Sequence, residues 1–228
     1  MGAPRGNALP IQNARVPMSE IAPYLPGVIA AYAILLVGAS SPGPAVAMLV
    51  GIATQQGRGP SMVASLGIAI GSMTLNVLTL LGVGLLLSQA AWAMSILRVI
   101  GAAYLLYLAW GALRKALHPP VLTPADMAPR ASWRHFTHGY LLQVTNPKAV
   151  AFWLAIASVG AVEGAGFGIT VLFVAGAFVI SFGCHAAWGL ALSARPVRTA
   201  YTKVRRGIEA LLGGFFLFAA LKLATSGR

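Results

Sequence analysis

Ser40 to Gln55 reads SSPGPAVAMLVGIATQ. Most of it is apolar enough for a membrane helix, yet Pro42, Gly43 and Pro44 interrupt it. Each proline removes a backbone donor, clashes with the carbonyl one turn back, and pushes the residue before it toward extended geometry. A helix crossing at this point is predicted to break.

The composition says what kind of helix is broken. The chain has 228 residues, 58% of them hydrophobic and only 9% charged, against about 25% charged in a typical soluble domain. Its mean hydropathy is +0.79. This is the composition of an integral membrane protein, and the length suits one membrane domain of about six helices at roughly 20 apolar residues each. Six apolar stretches occur, near 22–51, 61–87, 91–113, 139–161, 166–193 and 206–224. The first is long enough for two half-helices.

Lys and Arg number 16 against 4 Asp and Glu, a net charge of +12. In a membrane protein this excess reads as loops lying near anionic lipid. No aromatic–basic cluster or zinc spacing points to nucleic acid. Cys184 is the sole cysteine, so no intrachain disulfide forms. No paired carboxylates, HExxH, GxSxG or phosphate loop is present, so the chain reads as a non-enzyme without cofactor or metal.

Loop charge sets the expected orientation. Arg58, then Arg114, Lys115, Arg130 and Arg134, then Arg195, Arg198, Lys203, Arg205 and Arg206 fall in the first, third and fifth loops. The other side holds Arg5, Arg15, Arg98, Lys222 and Arg228. The odd loops are therefore expected in the cytoplasm and both termini outside. Residues 1–20 lack the apolar core of a cleavable signal peptide and read as a disordered tail, with Met18 a candidate start. Residues 118–135 are Pro-rich and polar and read as a cytoplasmic loop.

The chain also resembles itself. PAVAMLVGIAT from Pro44 aligns with KAVAFWLAIAS from Lys148, and RVIGAAYLLYLAWGALRKA from Arg98 aligns with RGIEALLGGFFLFAALKLA from Arg206. The order is the same in both halves, which implies two repeats of three helices, 21–117 and 136–225. Three is odd, so the halves are expected to be inverted in the membrane, a plan of secondary transporters that places the site at the repeat interface. The alignment sets Pro42 and Gly43 opposite Asn146 and Pro147. Interrupted helices at matching places expose backbone groups, tolerated in lipid only where protein or a water-filled cavity covers them. Freed amides at a helix N-terminus suit a carboxylate and freed carbonyls suit an ammonium; an amino acid carries both. The competing reading is that each proline only kinks its helix. Lys148 is a cation at membrane depth, a costly placement that marks function, unless it snorkels to the interface or pairs with Glu209 or Glu163.

The elements SPGPAVAML, QQGRGPSMVASLGIAIG, LRVIGAAYLLYLAWGALR and HGYLLQVTNPKAVAFWLA, in this order, resemble the LysE/RhtB superfamily of bacterial amino-acid exporters. The resemblance covers roughly residues 21–224. It implies a six-helix inner-membrane exporter moving amino acids or related small solutes outward by proton antiport. Pro42, Gly43, Pro44, Asn146, Pro147 and Lys148 match the family's motifs, with Gln56, Gly57 and Gly67 as weaker matches. Many members carry Asn or Asp directly after the Pro-Gly-Pro element; Ala45 stands there in this chain, which leaves the substrate open.

Further polar residues are candidates for substrate contact: Asn76 in the second stretch, which alternatively holds helices together, and Gln143 and Thr145 just before the second break. Tyr104, Tyr107 and Trp110 recur every three residues and share one face, for packing, an interface belt or a substrate ammonium. His135 and His138 are expected in an interfacial structural role. Proton-coupling candidates are His185, whose ordinary pKa of about 6.5 suits proton exchange, and Glu209; a structural hydrogen bond is the alternative for His185. Small residues suffice for the contacts of a homodimer. The rivals to an amino-acid exporter are an exporter of a metal cation or toxic compound, a channel, and a non-transporting membrane subunit.

Overall fold

The computed structural model describes residues 18–41, 43–89, 91–119, 131–159 and 161–225; for residues 83–89, 91, 93, 94, 97, 98 and 147 it describes the backbone alone. Pro42, most of the expected N-terminal tail and the middle of the 118–135 loop lie outside these residues. The described chain is all helical, without strands. Its helices are α1 (Met18–Ile21), α2 (Leu25–Ser40), α3 (Pro44–Gln55), α4 (Arg58–Gln89), α5 (Ala91–Leu117), α6 (Ser132–Val144), α7 (Pro147–Ala157), α8 (Phe167–Ala191) and α9 (Arg195–Thr225). A turn of 3₁₀ helix, Ala22–Tyr24, joins α1 to α2.

Among the described residues, four helical segments are long and apolar enough to cross a membrane: Met18–Ser40, Arg58–Gly82, Phe167–Ala191 and Arg195–Thr225. The protein is a multi-pass membrane protein. Helix α3 and the span Lys148–Ala157 are shorter apolar helices, each too short to cross alone.

Two helices start earlier than hydropathy indicates. Helix α9 begins at Arg195, so the run expected as a fifth loop, with Arg198, Lys203, Arg205 and Arg206, is helix. Arg and Lys are good helix formers, and Pro196 sits in the first turn, where its missing N–H has no intrahelical duty. Helix α6 likewise begins at Ser132, inside the region expected as loop, and His135, in its first turn, is fully buried among its neighbours.

Helices approach closely where glycines allow it. A Cβ on Gly67 of α4 would strike the Phe136 carbonyl of α6, and one on Gly139 of α6 would strike the Ala64 carbonyl of α4. Gly176 of α8 leaves room for the Tyr32 hydroxyl, which donates to Phe173 O at 2.9 Å, and Gly213 of α9 leaves room for Leu113 of α5. Small residues at such crossings replace the hydrophobic drive that lipid cannot supply. Gly57, in the turn between α3 and α4, has φ of 95°, a left-handed conformation in which a side chain is strained. The larger core cluster runs from Ala31 and Leu35 through Leu105, Phe152 and Trp153 to Phe173 and Phe216.

Polar contacts tie the helices and their connections together at the two ends of the bundle. At one end Arg58 Nε donates to Ser193 Oγ at 3.3 Å, and Arg206 Nε donates to Ala116 O at 3.0 Å, satisfying a carbonyl of α5's last turn. At the other, the Tyr24 hydroxyl donates to Gly164 O at 3.2 Å.

Candidate functional site

Four helix ends converge on one cavity. Helix α2 stops at Ser40 and α3 starts at Pro44; α6 stops at Val144 and α7 starts at Pro147. Ser41 is extended, with ψ of 118°, and so is Asn146, with ψ of 112°, the geometry expected of a residue near or before proline. At about 1.5 Å rise per residue, α3 spans roughly 18 Å and α6 roughly 20 Å. Measured from the Arg58–Ser193 end, the two junctions therefore lie at nearly the same depth.

The cavity between these ends has a volume of about 60 Å³. That is room for a few water molecules. Gly43, Pro44, Ala45 and Val46 line it from the start of α3, Gly38 and Ser41 from the end of α2, Gln143 and Asn146 from the second junction, and Lys148, Phe152 and Trp153 from α7. Ser72 of α4 and Ser181 and His185 of α8 complete the polar lining.

The two helix N-termini are finished differently. Asn146 caps α7: its Oδ1 accepts the Lys148 N–H at 3.0 Å. Helix α3 has Gly43 at its N-cap and no side-chain cap, while the Ala47 N–H already bonds to Gly43 O at 3.0 Å. The first-turn amides of Ala45 and Val46 have no carbonyl one turn back to bond within the helix. They present donors and the positive end of the α3 dipole to the cavity.

Lys148 is held in place. Its Nζ donates to Ser41 O at 3.4 Å, and its carbonyl accepts the Tyr104 hydroxyl at 3.2 Å. The pairing with Glu209 or Glu163 allowed by the sequence is not formed. Glu209 is fully buried on α9, its Oε1 3.8 Å from Arg205 Nε. Glu163 lies beside Pro23 and Tyr24 at the other end of the bundle.

The remaining polar groups divide into anchored and open. Trp153 Nε1 donates to Ser72 Oγ at 3.1 Å, fixing the indole against α4. His185 Nδ1 lies 2.7 Å from Ser181 O. A carbonyl only accepts, so Nδ1 carries the proton in that bond and Nε2 is left as the basic nitrogen of the neutral ring. The Ser181 hydroxyl and the Asn76 amide nitrogen are buried without a hydrogen-bond partner among the described residues.

Of the residues singled out in the sequence, Gly43, Pro44, Gln143, Asn146, Lys148 and His185 meet at this cavity. Pro42 lies outside the described residues, and Pro147 is described by its backbone alone. Asn76 does not line the cavity but stands one helical turn beyond Ser72. Thr145 is exposed and donates to Leu141 O on its own helix at 2.6 Å. Glu209 belongs to a separate cluster with Arg205 and Tyr201. Ser41, Ser72, Ser181, Phe152 and Trp153 were not anticipated. Serines and aromatics are common in apolar helices, and only the helix packing shows which of them face inward.

A family model described as LysE type translocator matches residues 36–227. The chain is 29% identical to the threonine efflux protein of Escherichia coli (strain K12) over 197 residues, 84% of this chain and 94% of that protein. It is 27% identical to the uncharacterized membrane protein YahN of the same organism over 187 residues, 82% of this chain and 84% of that one. Identity to the uncharacterized membrane protein PA4757 of Pseudomonas aeruginosa is 33% over 135 residues, 58% of this chain and 59% of the relative. No solved structure matches the chain.

Proposed function

The chain belongs to the LysE type translocator family, which makes it a transporter and not an enzyme, and on that premise we propose that it exports a small amino acid across the bacterial inner membrane by alternating access in exchange for protons. The observation that carries the proposal is the cavity at the two helix junctions, with Lys148 Nζ on Ser41 O beside the uncapped start of α3.

A zwitterion satisfies this arrangement in one step. Its carboxylate takes the Lys148 ammonium and the amides of Ala45 and Val46. Lys148 leaves the Ser41 carbonyl, which then accepts the substrate's ammonium. Backbone groups thus supply much of the polarity at membrane depth without a set of buried charged side chains.

The helix pairings support two inverted repeats. Helix α4 packs on α6 while its counterpart α8 packs on α2; α4 meets α7 while α8 meets α3; α5 and α9 pair with each other, as do α4 and α8. This exchange of partners is what a twofold relation between 21–117 and 136–225 produces, and rocking one half against the other would open the cavity to each side in turn. The excess of basic residues at the Arg58–Ser193 end supports a cytoplasmic position for that end and an outside position for the termini. For the proton, His185 is favoured over Glu209, because His185 lines the cavity and Glu209 does not.

The test is counterflow in proteoliposomes loaded with mixed unlabelled amino acids and offered labelled ones singly. Accumulation of one chemical class is expected, along with proton movement when that class is driven outward. Folded protein that accumulates none of them would refute the proposal.

A further inference from the structure

A second, larger cavity of about 400 Å³ adjoins the first and shares Ser41 and Lys148 with it. It runs along α5 from Tyr104, level with Lys148, to Arg114 and Lys115 in the last turn. Ten residues separate Tyr104 from Arg114, so the groove is about 15 Å long. It ends at the face of the bundle that carries the Arg206–Ala116 contact.

Among the described residues its lining is one-sided in charge: Arg114, Lys115 and Lys148 line it, and no carboxylate does. Glu209 is near enough to act electrostatically on Lys115 and Lys148, but its side chain is fully buried and closed off from the groove. Cations grouped in a cleft with low-dielectric walls raise the local concentration of anions. Between the cations, Tyr104, Tyr107 and Trp110 form three rungs on one face of α5, with the first two rings 5.9 Å apart. Aromatic faces attract an ammonium, so a zwitterion finds partners for both ends along the groove.

Building on the proposed export of an amino acid, we infer that this groove is an entry vestibule that binds the substrate's carboxylate at Arg114 and Lys115 and passes it to Lys148. The Lys148–Ser41 bond is the partition between vestibule and inner cavity. A carboxylate arriving from the groove draws Nζ away from the Ser41 carbonyl and opens the way inward. Tyr104, Tyr107 and Trp110 thereby acquire a role that neither packing nor an interface belt assigns them.

Gly111 lines the groove, and a Cβ there meets nothing within 4 Å, so Gly111→Cys in a Cys184→Ser background is a harmless reporter. Negatively and positively charged methanethiosulfonates of similar size are the probes. The anionic reagent is expected to label Cys-substituted position 111 about tenfold faster than the cationic one, with the ratio collapsing toward one when Arg114→Ala and Lys115→Ala are added. In counterflow, the same double substitution should raise KM for the transported amino acid about tenfold with kcat little changed, and Arg114→Lys with Lys115→Arg should restore it. Equal labelling rates in the otherwise unaltered chain, or a preference indifferent to removal of both cations, would overturn the vestibule. Labelling needs no transport, so a charge preference without accumulation of any amino acid would count against the export reading and not against an anion-binding groove.

Discussion

At Lys148 one side chain answers to two cavities, and its substitution should be correspondingly severe. Lys148→Ala removes the only cationic side chain that lines the inner cavity among the described residues; transport is expected to fall at least a hundredfold while thermal stability in detergent changes little. Asn146 has a different duty, capping α7 through its bond to the Lys148 N–H. Asn146→Ala should cost about 1 kcal/mol of stability, the usual worth of an N-cap, read as a lowered midpoint of unfolding. His185 faces the same space, with Nδ1 engaged by Ser181 O. His185→Gln is expected to keep exchange of labelled for unlabelled substrate and to lose accumulation driven by a pH gradient, which separates a proton carrier from a residue that only shapes the cavity. Lys148 and Asn146 were legible in the sequence because a charge and an amide beside proline stand out in an apolar run. Ser41, Ser72 and Ser181 were not, because a serine in a membrane helix gives no sign of its direction until its neighbours are placed.

Among the elements, the interrupted helices matter most. Replacing Pro42 and Pro44 together by Ala restores two N–H donors and lets α2 run into α3. The uncapped amides of Ala45 and Val46 would then be spent on carbonyls one turn back. Such a variant should remain folded and monodisperse and lose transport, a pair of outcomes that size-exclusion profiles and counterflow report separately. Helix contacts follow another rule. Gly67 and Gly139 face each other's helices across α4 and α6, where each Cβ would strike a backbone carbonyl. Backbone cannot swing aside as a side chain can, so Gly67→Leu should lower the unfolding midpoint and the yield in the membrane, whereas Gly111→Leu, in open space, should do neither. Proline spacing located the junctions from the sequence because proline acts locally. Hydropathy missed the first turns of α6 and α9 because Arg, Lys and His lower a window average without opposing helix; at Arg195–Arg206 charge masked helical structure.

For the molecule as a whole, the two internal alignments motivate the proposed inverted repeats, and α4 packing on α6 while α8 packs on α2 is the pairing that proposal expects. The all-helical, multi-pass character was readable from composition, and four of the helical segments described are long and apolar enough to cross a membrane. Which further residues share the cavity was not readable, since Ser72, Trp153 and Ser181 come from three helices far apart in sequence and meet only through packing. The groove along α5 was similarly hidden: its aromatic spacing was visible, but its opening onto Lys148 depends on where α7 rests against α5. The account as a whole turns on whether the space at the two junctions is where substrate crosses. Counterflow of the transported amino acid in proteoliposomes bearing either the unaltered chain or Lys148→Ala, each matched for folded protein, addresses that in one comparison. Accumulation by the unaltered chain and its loss in Lys148→Ala is the expected result; undiminished accumulation by Lys148→Ala would place the transport path elsewhere and contradict the mechanism drawn from this cavity.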